Sequence, residues 1–214
     1  MKKPNIRIPN IKDILLSVVG AMLCGVGCGF INSSQLGFDA IGLFYDGIRA
    51  LLNLSTTEIG TASYIVCAVL TVFLLIVDRK YVSIGSLIYI IFYGAFANLG
   101  SAALAMMIPE PRLAIQILIA ALGLLLLYVG ISIYITIDIG VDVFTGVTLW
   151  LNNITGKPFK LVKIIFDLAI AVSGYIMGGT FGVLTLVTVV AGGPCVDFLT
   201  KRFQKIYFKE KINF

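Results

Sequence analysis

Four polar side chains interrupt an otherwise apolar chain at positions where they could handle a solute or an ion. They are Asp39, Asn98, Asp142 and Asp197, and each lies near the end of a long uncharged stretch. Ionisable groups are costly inside a bilayer, so those found there are candidates for a substrate or ion pathway. The competing interpretation is structural. Asp39 and Asp142 can cap helices, and Asp197 has the i, i+4 spacing to pair with Lys201.

The charged residues are too few for a water-soluble protein. Of the 214 residues, 59% are hydrophobic and 13% are charged, whereas a soluble domain carries about 25% charged residues. A helix needs about 20 apolar residues to cross the bilayer, and continuous apolarity indicates helices rather than barrel strands. The sequence therefore predicts an all-α integral membrane protein. Its six predicted transmembrane helices are 14–31, 59–77, 82–106, 113–137, 161–177 and 181–199.

Two shorter apolar segments, 39–54 and 142–155, each follow the first span of one half of the chain. At about 1.5 Å per residue they are too short to cross the bilayer as helices. The sequence predicts short interfacial or re-entrant helices, with Asp39 and Asp142 at their N-termini. Whether these segments re-enter the membrane stays open at this point.

The second half of the chain repeats the first at an offset of 103 positions. The Gly-x-Asp match is the most specific part of the alignment, because acidic residues are rare in this chain. Three spans per half make the second half enter from the opposite face, which gives the inverted repeats of many secondary transporters. The pairs matched at this offset include Gly20 with Gly123, Gly27 with Gly130, Gly37 with Gly140 and Asp39 with Asp142, and after short gaps Gly85 matches Gly182 and Asn98 matches Asp197.

These halves form one membrane domain with short ends. The predicted division is a cytoplasmic N-terminus at 1–13, repeat 1 at 14–107, repeat 2 at 113–199 and a basic cytoplasmic tail at 200–214. Every Lys and Arg except Arg49 and Arg112 falls on one predicted side. The positive-inside rule therefore predicts a multi-pass protein of the bacterial cytoplasmic (inner) membrane with both termini in the cytoplasm.

The same charge distribution bears on partners. The basic residues cluster at span ends, so the net charge of +5 indicates membrane topology rather than nucleic-acid binding. The expected partners are the lipid bilayer and a small solute or ion, and a homo-oligomer is left open.

Glycine and proline residues mark where helices should pack closely or break. Gly25 and Gly29 have the Gly-x-x-x-Gly spacing that lets membrane helices approach each other. A glycine-rich stretch separates the last two predicted spans, and a Gly-Pro pair is expected to break the last span. The residues assigned to packing or breaks are Gly25, Gly29, Gly178, Gly179, Gly182, Gly193 and Pro194.

Enzyme signatures are absent from the sequence. There is no histidine, no Gly-x-Ser-x-Gly and no Walker loop. Cys24 and Cys28 lie one helical turn apart, but no third ligand is near, so they are interpreted as packing residues. The sequence predicts no metal, no cofactor and no enzymatic activity.

Several short motifs are dispersed over residues 14–199. They are Gly37-Phe38-Asp39, Tyr45-Asp46-Gly47-Ile48, Ile84-Gly85-Ser86, Val141-Asp142, Thr155-Gly156-Lys157-Pro158, Gly178-Gly179-Thr180-Phe181-Gly182 and Gly192-Gly193-Pro194. This set resembles the YczE/YyaS/YitT family of bacterial membrane proteins. Val183 and Ser86 depart from the family pattern, which usually has threonine at both places. The resemblance implies a duplicated protein of the cytoplasmic membrane and supplies neither a substrate nor catalytic residues.

The function favoured by these features is secondary transport of a small solute by alternating access. Acidic polar clusters without histidine lean toward a cationic or zwitterionic solute. The alternative is a non-transporting membrane scaffold or a partner subunit of a larger complex. A membrane enzyme ranks third.

Overall fold

The computed structural model describes the backbone of residues 10–212 and the side chains of residues 10–207. The basic residues Lys2, Lys3 and Arg7 of the predicted cytoplasmic N-terminus lie outside the described residues, as do the side chains of Lys209 and Lys211 in the tail. Helices make up nearly all of the described chain, which contains no strand. They are α1 (Ile11–Ser34), α2 (Ala40–Leu51), α3 (Ile59–Val77), α4 (Ile84–Met107), α5 (Leu113–Ile137), α6 (Val143–Thr155), α7 (Phe159–Ile176) and α8 (Val183–Ile212), with a short 3-10 turn at Arg79–Tyr81.

Five of the helices within residues 10–207 are long and apolar enough to cross a membrane: α1, α3, α4, α5 and α8. The chain is therefore a multi-pass, all-helical integral membrane protein. The fifth predicted span, now α7, is not among the five. It has 18 residues and carries Lys160, Lys163 and Asp167 within them, so its charge content sets it apart from the other long helices.

The glycines of α1 allow two helices to pack against it closely. A Cβ atom added at Gly27 would lie 2.6 Å from the Leu127 nitrogen and 2.7 Å from the Gly123 oxygen, both in α5. A Cβ atom added at Gly29 would lie 2.7 Å from the Ser101 nitrogen in α4. Gly25 meets α4 in the same way. Larger residues at these positions would push the helices apart. Because both α4 and α5 pack against it, α1 lies at the centre of the bundle.

Helices α1 and α5 run antiparallel. Gly20 of α1 contacts Gly130 of α5, whereas Gly27, further along α1, contacts Gly123. Each of the two helices also packs against the last helix of its own half, α1 against α4 and α5 against α8.

The predicted short helices are present as α2 and α6, each with its predicted aspartate at the N-cap. Both pack against α3 and α7. Their apolar side chains enter the core, where the Tyr45 ring lies 5.6 Å from that of Phe144 and the Phe73 ring lies 5.1 Å from that of Trp150. Aromatic contacts thus tie the two short helices to each other and to the long helices.

One predicted helix break occurs and another does not. The loop between α7 and α8 contains Gly178, Gly179 and Gly182, and Gly178 has a φ of 95°, which favours glycine. The break expected at Gly193 and Pro194 is not observed, because α8 runs through both residues. Proline removes one backbone donor, and membrane helices tolerate this when neighbouring groups satisfy the freed carbonyl.

Candidate functional site

Asp39 and Asp142 occupy equivalent N-cap positions but differ in geometry. The Asp142 carboxylate accepts hydrogen bonds from the amides of Phe144 and Thr145 at 3.0 Å each and from the Thr145 hydroxyl at 2.6 Å. The Asp39 carboxylate faces the first turn of α2 without forming a capping hydrogen bond. Asp142 is therefore fully engaged in helix capping, and Asp39 is not.

Asn98 and Asp197, the other aligned pair, also play different parts. The Asn98 side-chain oxygen accepts from the amides of Gly60 at 2.6 Å and Thr61 at 3.2 Å, and its nitrogen donates to the Thr61 hydroxyl. Asn98 thus caps the first turn of α3 from α4. Asp197 is 63% exposed and pairs with Lys201 at 2.6 Å. No hydrogen bond among the described side chains joins any of the four sequence candidates to another.

The structure instead places a polar cavity at the C-terminal end of α1. Its volume is about 320 Å³, within the range of small-molecule sites. The cavity lies where the end of α1, the short helix α2, the loop before α3, the end of α4 with the loop after it, and the α7–α8 loop meet. It is lined by Asn32, Ser33, Gln35, Asp46, Arg49, Thr56, Thr57, Ser101, Ala105, Ile108, Pro109, Pro111 and Thr180.

A buried ion pair forms one wall of the cavity. The Arg49 Nε atom lies 2.7 Å from an Asp46 oxygen, and the two side chains are 15% and 1% exposed. The second Asp46 oxygen accepts the Thr180 amide at 2.7 Å, and Arg49 Nη1 donates to the Leu54 carbonyl at 3.2 Å. The pair therefore connects α2 to the α7–α8 loop and to the segment before α3.

The opposite wall is held by a network around Asn32. Its amide nitrogen donates to the Thr56 carbonyl at 2.6 Å and to the Ser101 hydroxyl at 3.1 Å. Gln35, the residue that ends α1, adopts a left-handed conformation with a φ of 56°. The chain thereby turns from α1 toward α2 beside the cavity.

The rim of the cavity continues into the loop before α3. The Ser55 amide donates to the Glu58 carboxylate at 2.8 Å, and this bond lowers the pKa of the Glu58 carboxyl. Glu58 therefore stays negatively charged at neutral pH while it orders the loop that carries Thr56 and Thr57.

Buried thiols and phenols pack in the core away from this cavity. Cys24, Cys28 and Cys67 are buried and unpaired, and the Tyr45 hydroxyl lies 3.3 Å from the Cys67 sulfur. Within residues 10–207, no group of three His, Cys, Asp or Glu side chains is placed to hold a metal ion.

Sequence analysis did not identify Asp46 or Arg49 as site residues. Arg49 was noted only as one of the two basic residues outside the predicted cytoplasmic side, and Asp46 only as part of a dispersed motif. The available signal was an i, i+3 pair of opposite charges within a short apolar helix. Such a pair is expected to be buried only where the two charges neutralise each other.

These features define the class of the protein: a multi-pass α-helical integral membrane protein with a buried ion pair beside a polar cavity. The model of a family of unknown function, DUF6198, matches residues 11–201. The chain therefore belongs to the DUF6198 family.

A distant relative carries no functional assignment either. The chain is 24% identical over 188 residues to an uncharacterized protein of Haemophilus influenzae, and the match covers 87% of this chain and 83% of that protein. No solved structure matches the chain. The resemblance to the YczE/YyaS/YitT family is not confirmed by these comparisons.

Proposed function

We propose that this chain is a secondary transporter that moves a small polar solute across the bacterial cytoplasmic membrane by alternating access. The observation that carries the proposal is the Asp46–Arg49 pair, which is largely buried and lines a polar cavity in a very apolar protein. Charges retained inside a membrane bundle are costly and mark solute or ion pathways. Small-molecule sites also form preferentially in cavities between the helices of a bundle.

Contacts between α1 and α5 support an inverted repeat. At the 103-residue offset, Gly20 is equivalent to Gly123 and Gly27 to Gly130. The contact of Gly20 with Gly130 therefore maps onto the contact of Gly27 with Gly123, and both contacts are present. A two-fold axis between antiparallel halves produces this exchange.

A second pair of contacts obeys the same relation. Gly37, before α2, lies against Gly182, and Gly140, before α6, lies against Gly85. Gly37 and Gly140 are equivalent in the repeat, as are Gly85 and Gly182. In each half, the start of the short helix therefore packs against the start of the last helix of the other half.

The proposal includes a membrane crossing by α7, which gives six spans. At about 1.5 Å per residue, the 18 residues of α7 are about 27 Å long, close to the bilayer core. Lys163 and Asp167 pair at 2.5 Å along the helix, which reduces the cost of their burial. Six spans, with the basic loops inside, put both termini in the cytoplasm and the cavity toward the outer face.

Thiol labelling tests this orientation. Single cysteines placed at residues 79, 157 and 205 of a cysteine-free variant should be protected from an impermeant reagent in intact cells. Cysteines at residues 57 and 110 should react. Labelling of the first set from outside would overturn both the orientation and the six-span proposal.

Uptake by proteoliposomes tests transport itself. We expect at least one labelled probe among alanine, glycine betaine, choline and propionate to enter faster than into protein-free vesicles. The double variant D46L/R49N, which removes both charges of the pair, should abolish the excess. Uptake of none of these probes by a folded, correctly inserted protein would favour the scaffold alternative.

A further inference from the structure

We infer that the cavity beside α2 binds a small zwitterion of the amino-acid class, with the carboxylate of the solute on Arg49. This inference deepens the proposed transport function and rests on it for the fate of the bound solute. It rests on hydrogen-bond donors and acceptors in the cavity that have no partner among the described residues.

Arg49 provides the unused donors. A guanidinium has five N–H groups in a planar fork. One is used by Asp46 and one by the Leu54 carbonyl, and the three others have no acceptor among the described residues. The side chain is 15% exposed and lines the cavity. Free N–H groups of this geometry favour a carboxylate, which can accept two parallel hydrogen bonds.

Asp46 is poorly placed to bind a cation. One of its oxygens accepts from Arg49 and the other from the Thr180 amide, and the side chain is 1% exposed. A cationic solute would have to displace the Arg49 side chain or the α7–α8 loop. Of the cationic and zwitterionic solutes toward which the sequence leaned, the cavity therefore does not favour the purely cationic ones.

A simple anion is also disfavoured, because the charges of Asp46 and Arg49 already sum to zero. A bound monoanion would leave one uncompensated negative charge in a poorly solvated place. A zwitterion carries its own compensating ammonium. Acceptors for that ammonium are the Asn32 side-chain oxygen, the Gln35 side-chain oxygen and the Thr56 hydroxyl, none of which has a hydrogen-bonding partner among the described side chains.

Matched probes test the charge requirement. Thermal unfolding of the detergent-purified protein would be followed with alanine, with propionate, which lacks the ammonium, and with ethylammonium, which lacks the carboxylate. Glycine, β-alanine and glycine betaine vary the size and spacing of the zwitterion. Since a ligand of the folded state raises the melting temperature, we expect at least one zwitterion to do so, with an affinity at least tenfold above that of either ion.

Variants of the cavity locate the binding. Arg49→Lys keeps the charge but loses the fork, so the affinity for the zwitterion should fall at least tenfold. The D46L/R49N variant should fold and lose the shift. Arg112→Gln removes an exposed arginine that does not line the cavity, and it should bind like the parent. Equal shifts in the Arg49→Lys and parent proteins would overturn the assignment to Arg49.

The outcomes for binding and transport are separable. A zwitterion that raises the melting temperature but does not enter proteoliposomes leaves the inference standing and contradicts transport. Uptake of choline or propionate without any zwitterion-dependent shift contradicts the inference and leaves transport standing. A shift by no zwitterion, whatever the simple ions do, also overturns the inference.

Discussion

In the proposed inverted repeat, helices α2 and α6 hold equivalent places, yet only α2 contributes charged groups to the cavity. Both are short, both follow a Gly-x-Asp sequence, and both pack on α3 and α7. At the 103-residue offset, Asp46 corresponds to Leu149 and Arg49 to Asn152. The first half therefore carries a buried ion pair where the second half carries an apolar and an amide side chain.

The difference separates architecture from chemistry. What the halves share is backbone geometry: glycines at helix crossings, aspartates at N-caps and short helices of 12 and 13 residues. What they do not share is the polar content of the cavity. In the proposed repeat, the shared features account for how the bundle is built, and the departures from the repeat indicate where a solute could be recognised.

The largest effect is expected from making α2 resemble α6 at one position. Asp46→Leu strands the buried Arg49 guanidinium, and removing one partner of a buried pair costs about 3–5 kcal/mol. The D46L/R49N variant removes the stranded charge as well and should recover to within about 2 kcal/mol of the parent. Unfolding by denaturant in micelles measures both. An Asp46→Leu variant as stable as the parent would mean that the pair is not buried.

A smaller loss is expected at Gly47, which aligns with Trp150 of α6. A Cβ atom added at Gly47 would overlap the backbone of Gly174 in α7, so Gly47→Ala forces two helices apart and should cost about 1–3 kcal/mol. Gly193→Ala is the matched control, because a Cβ there meets no atom within 4 Å. Similar melting temperatures for the two variants would contradict the close contact of α2 and α7.

In the aligned pair Asn98 and Asp197, the member from the first half should again contribute more to stability. Asn98→Ala leaves the Gly60 and Thr61 amides without their acceptor and should cost about 1–2 kcal/mol. Asp197→Ala removes only an exposed pair and should leave the melting temperature unchanged. Equal losses would show that Asp197 has a buried role in the membrane.

The smallest effect is expected at the N-caps of the two short helices. Asp142→Ala should cost about 1 kcal/mol, because three hydrogen bonds are lost. Asp39→Ala should cost less, since its carboxylate forms no capping hydrogen bond. Thermal melts of the two variants measure the difference. A larger loss of stability for Asp39→Ala than for Asp142→Ala would show that the Asp39 carboxylate forms a stabilising contact other than capping.

The sequence predicted the parts of this protein that depend on length, hydropathy and glycine. Five helices and both short helices follow from apolar runs and from Gly-x-Asp, because these features act locally. The α7 helix is harder to predict as a membrane span, because its charged side chains pair only when the helix forms. The helix through Pro194 was predicted wrongly, because a Gly-Pro pair breaks helices in water more readily than in a bundle.

The candidate site was harder to predict than the fold. Its lining residues come from α1, α2, α4 and four loops. Nothing in the local sequence joins Asp46 to Thr180 or Asn32 to Ser101. Sequence reasoning ranked acidic residues by their position in the repeat, and that favoured helix caps. The ion pair is instead identified by its lack of a counterpart in the repeat.

The two glycine faces of α1 also bear on how the protein is made. The helices that cover these faces, α4 and α5, follow it in the chain, and α5 ends at Ile137. At about 5–20 residues per second, the ribosome needs about 5–20 s to make the residues between the end of α1 and the end of α5. We expect α1 to spend that interval in the membrane with the glycine face that packs on α5 uncovered. A nascent chain stalled before α5 should therefore be a better target for membrane chaperones and proteases than one released after it.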